Sequence, residues 1–255
     1  MKSRIAALLA SLAIGGTIVF ASAGVAGAAG SATPGPAGKG VCATFSVAVK
    51  AGATADKLHA FANCEIDRRI ATLNALSARI TAAKSLTSSD SSALKSEVAA
   101  TSSGLTSLKA TIDAETDVPT LRADIAKIVS DYRVYVLVSP QVHLVIAADT
   151  ILATQTKFAD INTKLAARIA TAKAAGKNTD AAQADLDAMN AAVTAAVGLA
   201  GPLPAQLLPL TPAQYNGGAG GPIITSARST VTTARNDVKN AVADAKACRA
   251  ALKAL

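Results

Sequence analysis

Leu94, Val98, Thr101, Leu105, Leu108 and Ile112 follow one another at steps of four, three, four, three and four residues. On an α-helix these steps keep the apolar side chains on one narrow stripe, which is stable only when another helix covers it. The rhythm recurs along the chain. Leu58, Phe61, Ile66, Ile70, Leu73, Leu76 and Ile80 share one face of a first helix predicted over 54–86, with Arg68, Arg69 and Arg79 largely turned away. Thr87 to Ser92 is a polar break in which Ser89 or Asp90 can cap the next helix. The short link predicts that helices one and two form an antiparallel hairpin.

Pro119 suits the first turn of a third helix, with Leu121, Ile125, Ile128, Val129 and Tyr132 on one side. The run Val134-Tyr135-Val136-Leu137-Val138 is the densest apolar stretch, and its β-branched residues favour a buried extended connector over a kinked helix. Ser139 then reads as a cap and Pro140 as the first position of a fourth helix reaching Ala175. Its seam is Leu144, Ala148, Ile151, Gln155, Phe158, Asn162, Leu165, Ile169 and Ala172, with Gln155 and Asn162 as polar positions that set register. Gly176 ends that helix, and Asn178-Thr179-Asp180 starts a fifth that carries Leu186, Met189, Val193 and Val197.

Residues 201–222 hold Pro202, Pro204, Pro209, Pro212 and the Gly217-Gly218-Ala219-Gly220-Gly221 tract, which predicts a Pro/Gly-rich crossover or functional loop. The last helix carries two heptad rows. One is Ile224, Val231, Val238, Ala245 and Leu252; the other is Ala227, Ala234, Ala241, Cys248 and Leu255, whose alanines let a partner helix approach closely. The expected fold is all-α, an elongated antiparallel helical bundle with coiled-coil-like seams over 54–255.

The amino-terminal segment has a different pattern. Lys2 and Arg4 precede an apolar run from Ile5 to Phe20, followed by small residues through Ala32. Ala26-Gly27-Ala28 fits a signal-peptidase site, giving a signal peptide over 1–28; the competing reading is an uncleaved anchor. Residues 29–53 are rich in Gly, Ala, Ser and Pro and read as a flexible leader. No membrane span is expected after cleavage, and the location expected is secreted or cell-wall associated.

Composition sharpens this picture. Apolar residues make up 51% of the chain, but nearly half of them are alanine, and aromatics are only 3%. Such a mixture favours close-packed long helices over a thick core. The formal charge of +8 is spread along helices among aspartates, as in Arg235-Asn236-Asp237-Val238-Lys239. That spread reads as solvated helical faces rather than a nucleic-acid footprint, so no nucleic acid is expected. A protein or an anionic cell-envelope polymer is the partner class that remains.

Candidate chemistry is sparse. Three cysteines leave one over after a single bridge. If the first and last helices pack antiparallel, Cys64 meets Cys248 and a 64–248 bridge closes nearly the whole domain; the alternative pairs Cys64 with Cys42. His59 and His143 lack a second ligand at helical spacing, so no metal, cofactor or catalytic site is assigned. The most distinctive text is Asp131-Tyr132-Arg133-Val134-Tyr135, followed by Gln141 and His143, at an interhelical junction where bundles form pockets. Tyr132, Arg133, Tyr135, Gln141 and His143 are therefore the candidate ligand pocket, against the alternative that the tyrosines plug the junction.

The Asp131–Tyr135 run, the Cys64–Arg69 stretch and the final alanine-rich helix together resemble uncharacterised secreted all-helical proteins of actinobacteria. The resemblance implies export and a helical fold but assigns no site or substrate. The expected function is a secreted or cell-wall-associated structural or interaction bundle without catalytic activity. The alternative is an extracytoplasmic small-ligand carrier or sensor with its pocket near residues 132–143.

Overall fold

The computed structural model of the chain describes Cys42 and residues 53–255. The signal-peptide reading of 1–28 and the leader reading of 29–53, apart from Cys42 and Ala53, lie outside the described residues. Among those described there is no strand. The elements are α1 (Ala55–Ala82), α2 (Ser88–Ala114), α3 (Val118–Ser130), a π-helical turn (Val134–Val138), α4 (Ser139–Leu152), α5 (Thr154–Ala174), α6 (Asp180–Ala200), α7 (Leu203–Leu207), α8 (Pro212–Asn216) and α9 (Gly220–Lys253). The all-α reading is correct.

The α1–α2 hairpin forms as the periodicity requires. Leu94, Val98, Thr101, Leu105, Leu108 and Ile112 are the buried residues of α2, against Leu58, Ile66, Leu73, Leu76 and Ile80 of α1. Fully enclosed side chains such as Leu58, Leu73 and Leu105 stabilise the fold by roughly 2 kcal/mol each through removal from water. Polar bonds mark the antiparallel register. His59 donates to the Glu115 carbonyl (2.9 Å), Asn63 Nδ2 to Asp113 Oδ1 (2.8 Å), and Lys109 Nζ pairs with Asp67 (2.6 Å). The α2 cap is Thr87 rather than Ser89 or Asp90; its side chain accepts from the Asp90 N–H. Arg69 is a further correction: it is 6% exposed and Arg68 is half-buried beside it, so of the three only Arg79 is turned away.

Asp117 caps α3 by accepting from the Thr120 N–H, with Pro119 in the first turn. The expected extended connector at 134–138 is instead the π-turn, in which the Ser139 N–H donates to the Val134 carbonyl. Pro140 accounts for the wide turn. It has no N–H, and its ring would strike the carbonyl four residues back in a regular helix. Ser139 is consequently helical and continues from the turn, so it is not a cap. A second correction lies at Ala153, where the predicted fourth helix divides into α4 and α5. Gln155, just past that division, is exposed instead of lying on a seam. Asn162 does reach a neighbouring helix, where its Oδ1 accepts from Asn190 Nδ2 (2.8 Å) across α5 and α6.

The loop predicted over 201–222 also needs correction. Pro202 and Pro212 each stand at the start of a short helix, and a capping box of Thr211 with Gln214 starts α8. Gly220, Gly221 and Pro222 already belong to α9. Two helical stretches, Val118–Ala174 and Asp180–Leu207, are long and apolar enough to cross a membrane by length and composition. The apolar window of the first is 72% buried within the fold, that of the second 28%. The second owes its apolarity largely to the alanines of α6.

The buried side chains form two clusters. The larger joins α1, α2, α3, the π-turn and α4 to α7, the end of α6 and the first half of α9, from Ile224 to Ala234. The smaller joins Phe158, Leu165 and Ile169 of α5, Ala182, Leu186 and Met189 of α6, and Ala241, Ala245 and Cys248 of α9. The start of α6 therefore meets the end of α9, and its end meets the start of α9, so the two run antiparallel. This arrangement overturns the 64–248 bridge. Cys248 is buried against α5 and α6, while Cys64 is bonded to Cys42 with a Cα–Cα distance of 5.7 Å. The premise that failed was direct packing of α1 on the end of α9; α1 is covered by α2, α3 and α4.

Candidate functional site

The junction after α3 gathers the residues singled out in the sequence, but their side chains reach different neighbours. Tyr135 leaves the π-turn toward α1, where the guanidinium carbons of Arg68 and Arg69 lie 5.2 and 5.1 Å from its ring centre. Glu65 holds both arginines, by an ion pair of 2.8 Å to Arg68 and a shorter one to Arg69, whose Nη1 also donates to the Glu65 carbonyl. The Tyr135 hydroxyl is buried and has no hydrogen-bond partner among the described residues. Its ring contributes apolar mass and a negative face for two cations.

Tyr132 turns to α2 instead and fills the space beside Gly104. Burial, and secondarily the charge of Asp131, raises its phenol pKa. Arg133 has φ 41, a left-handed backbone that a side chain rarely adopts. Its Nε donates to Asn216 Oδ1 (2.6 Å), and its guanidinium lies 5.5 Å from the Tyr215 ring centre. Asn216 Nδ2 in turn donates to the Ser130 carbonyl (2.8 Å), so α8 is tied to the end of α3. The unusual turn at Arg133 thus places its side chain on a clamp between distant parts of the chain.

Gln141 is 2% exposed and donates from Nε2 to the carbonyls of Leu207 (2.9 Å) and Leu210 (3.0 Å). These bonds tie α4 to the end of α7 and the residues after it, where the Leu207 carbonyl also accepts the Leu210 N–H (3.1 Å). His143 is half-buried, and burial, then the positive charge of Arg79, lowers its pKa. One further group is Asp149, a partner the sequence offered for Arg133, which bonds Asn216 instead. Asp149 is 1% exposed and accepts the Thr87 N–H through Oδ2 (2.9 Å), tying α4 to the α1–α2 turn. Burial, with help from Asp90, raises its pKa against the lowering effect of that bond.

A second locus lies between α5 and α9. There a groove of about 270 Å³ is lined by Arg168, Lys246, Arg249, Ala250 and Lys253. All four cationic side chains belong to exposed residues. Cys248 lies beneath, its thiol pKa raised by burial and by Asp185 and lowered in part by Arg168. The heptad pattern of the last helix marks its buried rows; the charges flanking those rows were legible in the same text but were read only as solvated faces. Arranged this way, the groove offers positive charge to an anion and no buried nucleophile in a polar setting.

No family model, no curated protein and no solved structure matches this chain.

Proposed function

We propose that this chain is an exported helical module that works by binding a partner and not by catalysis, in line with the resemblance to secreted helical proteins of actinobacteria. Its location is outside the cytoplasm, secreted or held at the cell wall. Its partner is a protein or an anionic envelope polymer. The observation that carries the reading is the destination of the junction's polar groups. Tyr135, Arg133 and Gln141 each brace a different helix of the bundle, as do Tyr132 and Asp149. Four of the five candidate pocket residues have divergent contacts of this kind, and these support a structural junction over a carrier's ligand pocket.

The Cys42–Cys64 bond supports export, because such bonds persist in oxidising compartments. The reading is tested by fractionating cells that express the full chain, with peptide mapping under non-reducing conditions. Recovery outside the cytoplasm with Cys42 joined to Cys64 is expected; a cytoplasmic protein with free thiols overturns export. Turnover of any member of a hydrolase substrate panel, lost on Arg133→Ala or His143→Ala, overturns the non-catalytic part.

A further inference from the structure

We propose that the cationic flank of α9, together with Arg168 of α5, is the partner-binding surface, and that its ligand is a linear polymer of phosphate groups. This rests on the reading of the chain as a binding module and names the partner of the α5–α9 groove. The argument begins with angular position. At 100° per residue, every lysine and arginine of α9, from Arg228 through Arg235, Lys239, Lys246 and Arg249 to Lys253, falls within an arc of about 80°. Both carboxylates of that helix, Asp237 and Asp244, lie on its other flank, roughly 160–180° from Arg228. The buried row from Ile224 to Cys248 separates the two signs. Mixed solvated faces would interleave them, as pairs at spacings of three and four do on ordinary surface helices.

The row spans roughly 37 Å along the axis. It is linear, with one cation per one or two turns. On α5, Lys157, Lys164 and Arg168 repeat the seven-and-four spacing on one stripe, while Lys173 in the last turn lies about 160° away. Asp160, the carboxylate of α5, stands three residues from Lys157 and four from Lys164 on the solvent side of that stripe, but makes no ion pair with either among the described residues. Because α5 and α9 both run antiparallel to α6, they are parallel to each other, so their cationic rows extend in the same direction. Arg168, Lys246, Arg249 and Lys253 make no ion pair or side-chain hydrogen bond among the described residues. Each keeps its donors for a ligand.

The chemistry selects among polyanions. A membrane surface calls for an apolar face that enters the lipid, and the apolar face of α9 is already occupied by the core. Single-stranded nucleic acid calls for aromatic rings beside the cations; on α5 the aromatic residue, Phe158, is buried, and α9 has none. A flexible phosphate chain needs only a track of charges, and two of the groove's four cations are arginines, whose forked donors suit phosphate oxygens.

The test titrates the full chain with inorganic polyphosphate of defined length by calorimetry, followed by electrophoresis of the polymer. Binding is expected to require a chain long enough to touch several cations, and to fall linearly with salt on logarithmic axes. For four neutralised phosphates the loss between 50 and 200 mM salt is roughly fifty-fold. Lys246→Glu with Arg249→Glu should weaken binding at least tenfold, the milder Lys246→Gln with Arg249→Gln by less, and Lys95→Glu on α2 not at all. Equal binding of orthophosphate, of poly-glutamate or of anionic vesicles overturns the proposal, as does equal binding by the Lys246→Glu, Arg249→Glu variant. Shortening of the polymer during incubation overturns the non-catalytic reading instead, while leaving the surface assignment supported.

Discussion

Gly104 and Tyr132 share a space that holds no additional carbon. A methyl group on Gly104 would stand 2.6 Å from Tyr132 Cε1 and 2.9 Å from its hydroxyl oxygen. Glycine is therefore present in the middle of α2 because a ring from the far end of α3 rests on it, despite the conformational entropy that glycine costs a helix.

That contact makes a prediction about context. In the native background, Gly104→Ala displaces the ring and lowers the melting temperature or leaves it unchanged. With Tyr132→Ala already in place, the same substitution should stabilise by about 1 kcal/mol, the ordinary alanine advantage in a helix. Chemical denaturation of the four proteins in the double-mutant cycle measures the coupling. Additive effects would show that Tyr132 does not dictate the glycine.

The bond between Cys42 and Cys64 closes a loop with a sequence separation of 22. In the chain-entropy treatment such a loop stabilises the fold by about 3 kcal/mol. Cys42→Ser and Cys64→Ser should each show a loss of that order in denaturant titrations, and reduction of the native protein should match them. Cys248→Ala should lose less, because it removes only a small buried group. The Cys248 thiol, enclosed and raised in pKa, should react with a maleimide only after unfolding.

Tyr135 separates its ring from its hydroxyl. The hydroxyl is buried without a partner, so Tyr135→Phe should be neutral or stabilising by up to about 1 kcal/mol. Tyr135→Leu removes the ring face from Arg68 and Arg69 and should destabilise by about 1–2 kcal/mol. A phenylalanine variant that melts well below the native protein would assign the hydroxyl a role that the geometry does not show.

His143 gives the fold a pH dependence of definite sign. Its native pKa lies below the ordinary 6.5, so folding disfavours the protonated ring. Stability from this group is intact above the unfolded value, falls as pH drops through about 6.5, and levels off below the native value. His143→Gln should flatten that part of a plot of unfolding free energy against pH, and Arg79→Ala should reduce its amplitude. An unchanged slope in His143→Gln would remove the histidine from the effect.

Helix rows were readable in the sequence because each buried stripe repeats at three and four residues, as Leu94 through Ile112 does. The partition at Ala153 was not readable, since Ala153 keeps a helical backbone and no side chain caps the start of α5. Val134 to Val138 was read through the strand preference of β-branched residues, whereas the constraint that prevailed was Pro140 and the carbonyl behind it. Thr211-Pro212-Ala213-Gln214 carried a capping-box signature inside a stretch read as loop, so α8 was within reach of the sequence. The cysteine pairing depended on where residue 42 lies in space, which no spacing encodes. At the candidate site, the charges of α9 stand in the sequence at spacings of seven, four and three, whereas the divergence of Tyr132, Arg133, Tyr135 and Gln141 depends on the fold.

The longest helix threads both buried clusters, and Val238 packs against each of them. Up to Ala234, α9 is held by the same assembly that encloses α1 and α2; beyond Ala241 only α5 and α6 hold it. Amide-hydrogen exchange should therefore sort this helix into two protection classes with their boundary at Val238. The carboxyl half would open together with the α5–α6 pair while the amino half stays closed. A protease entering from the carboxyl end would meet its first lasting resistance at that valine.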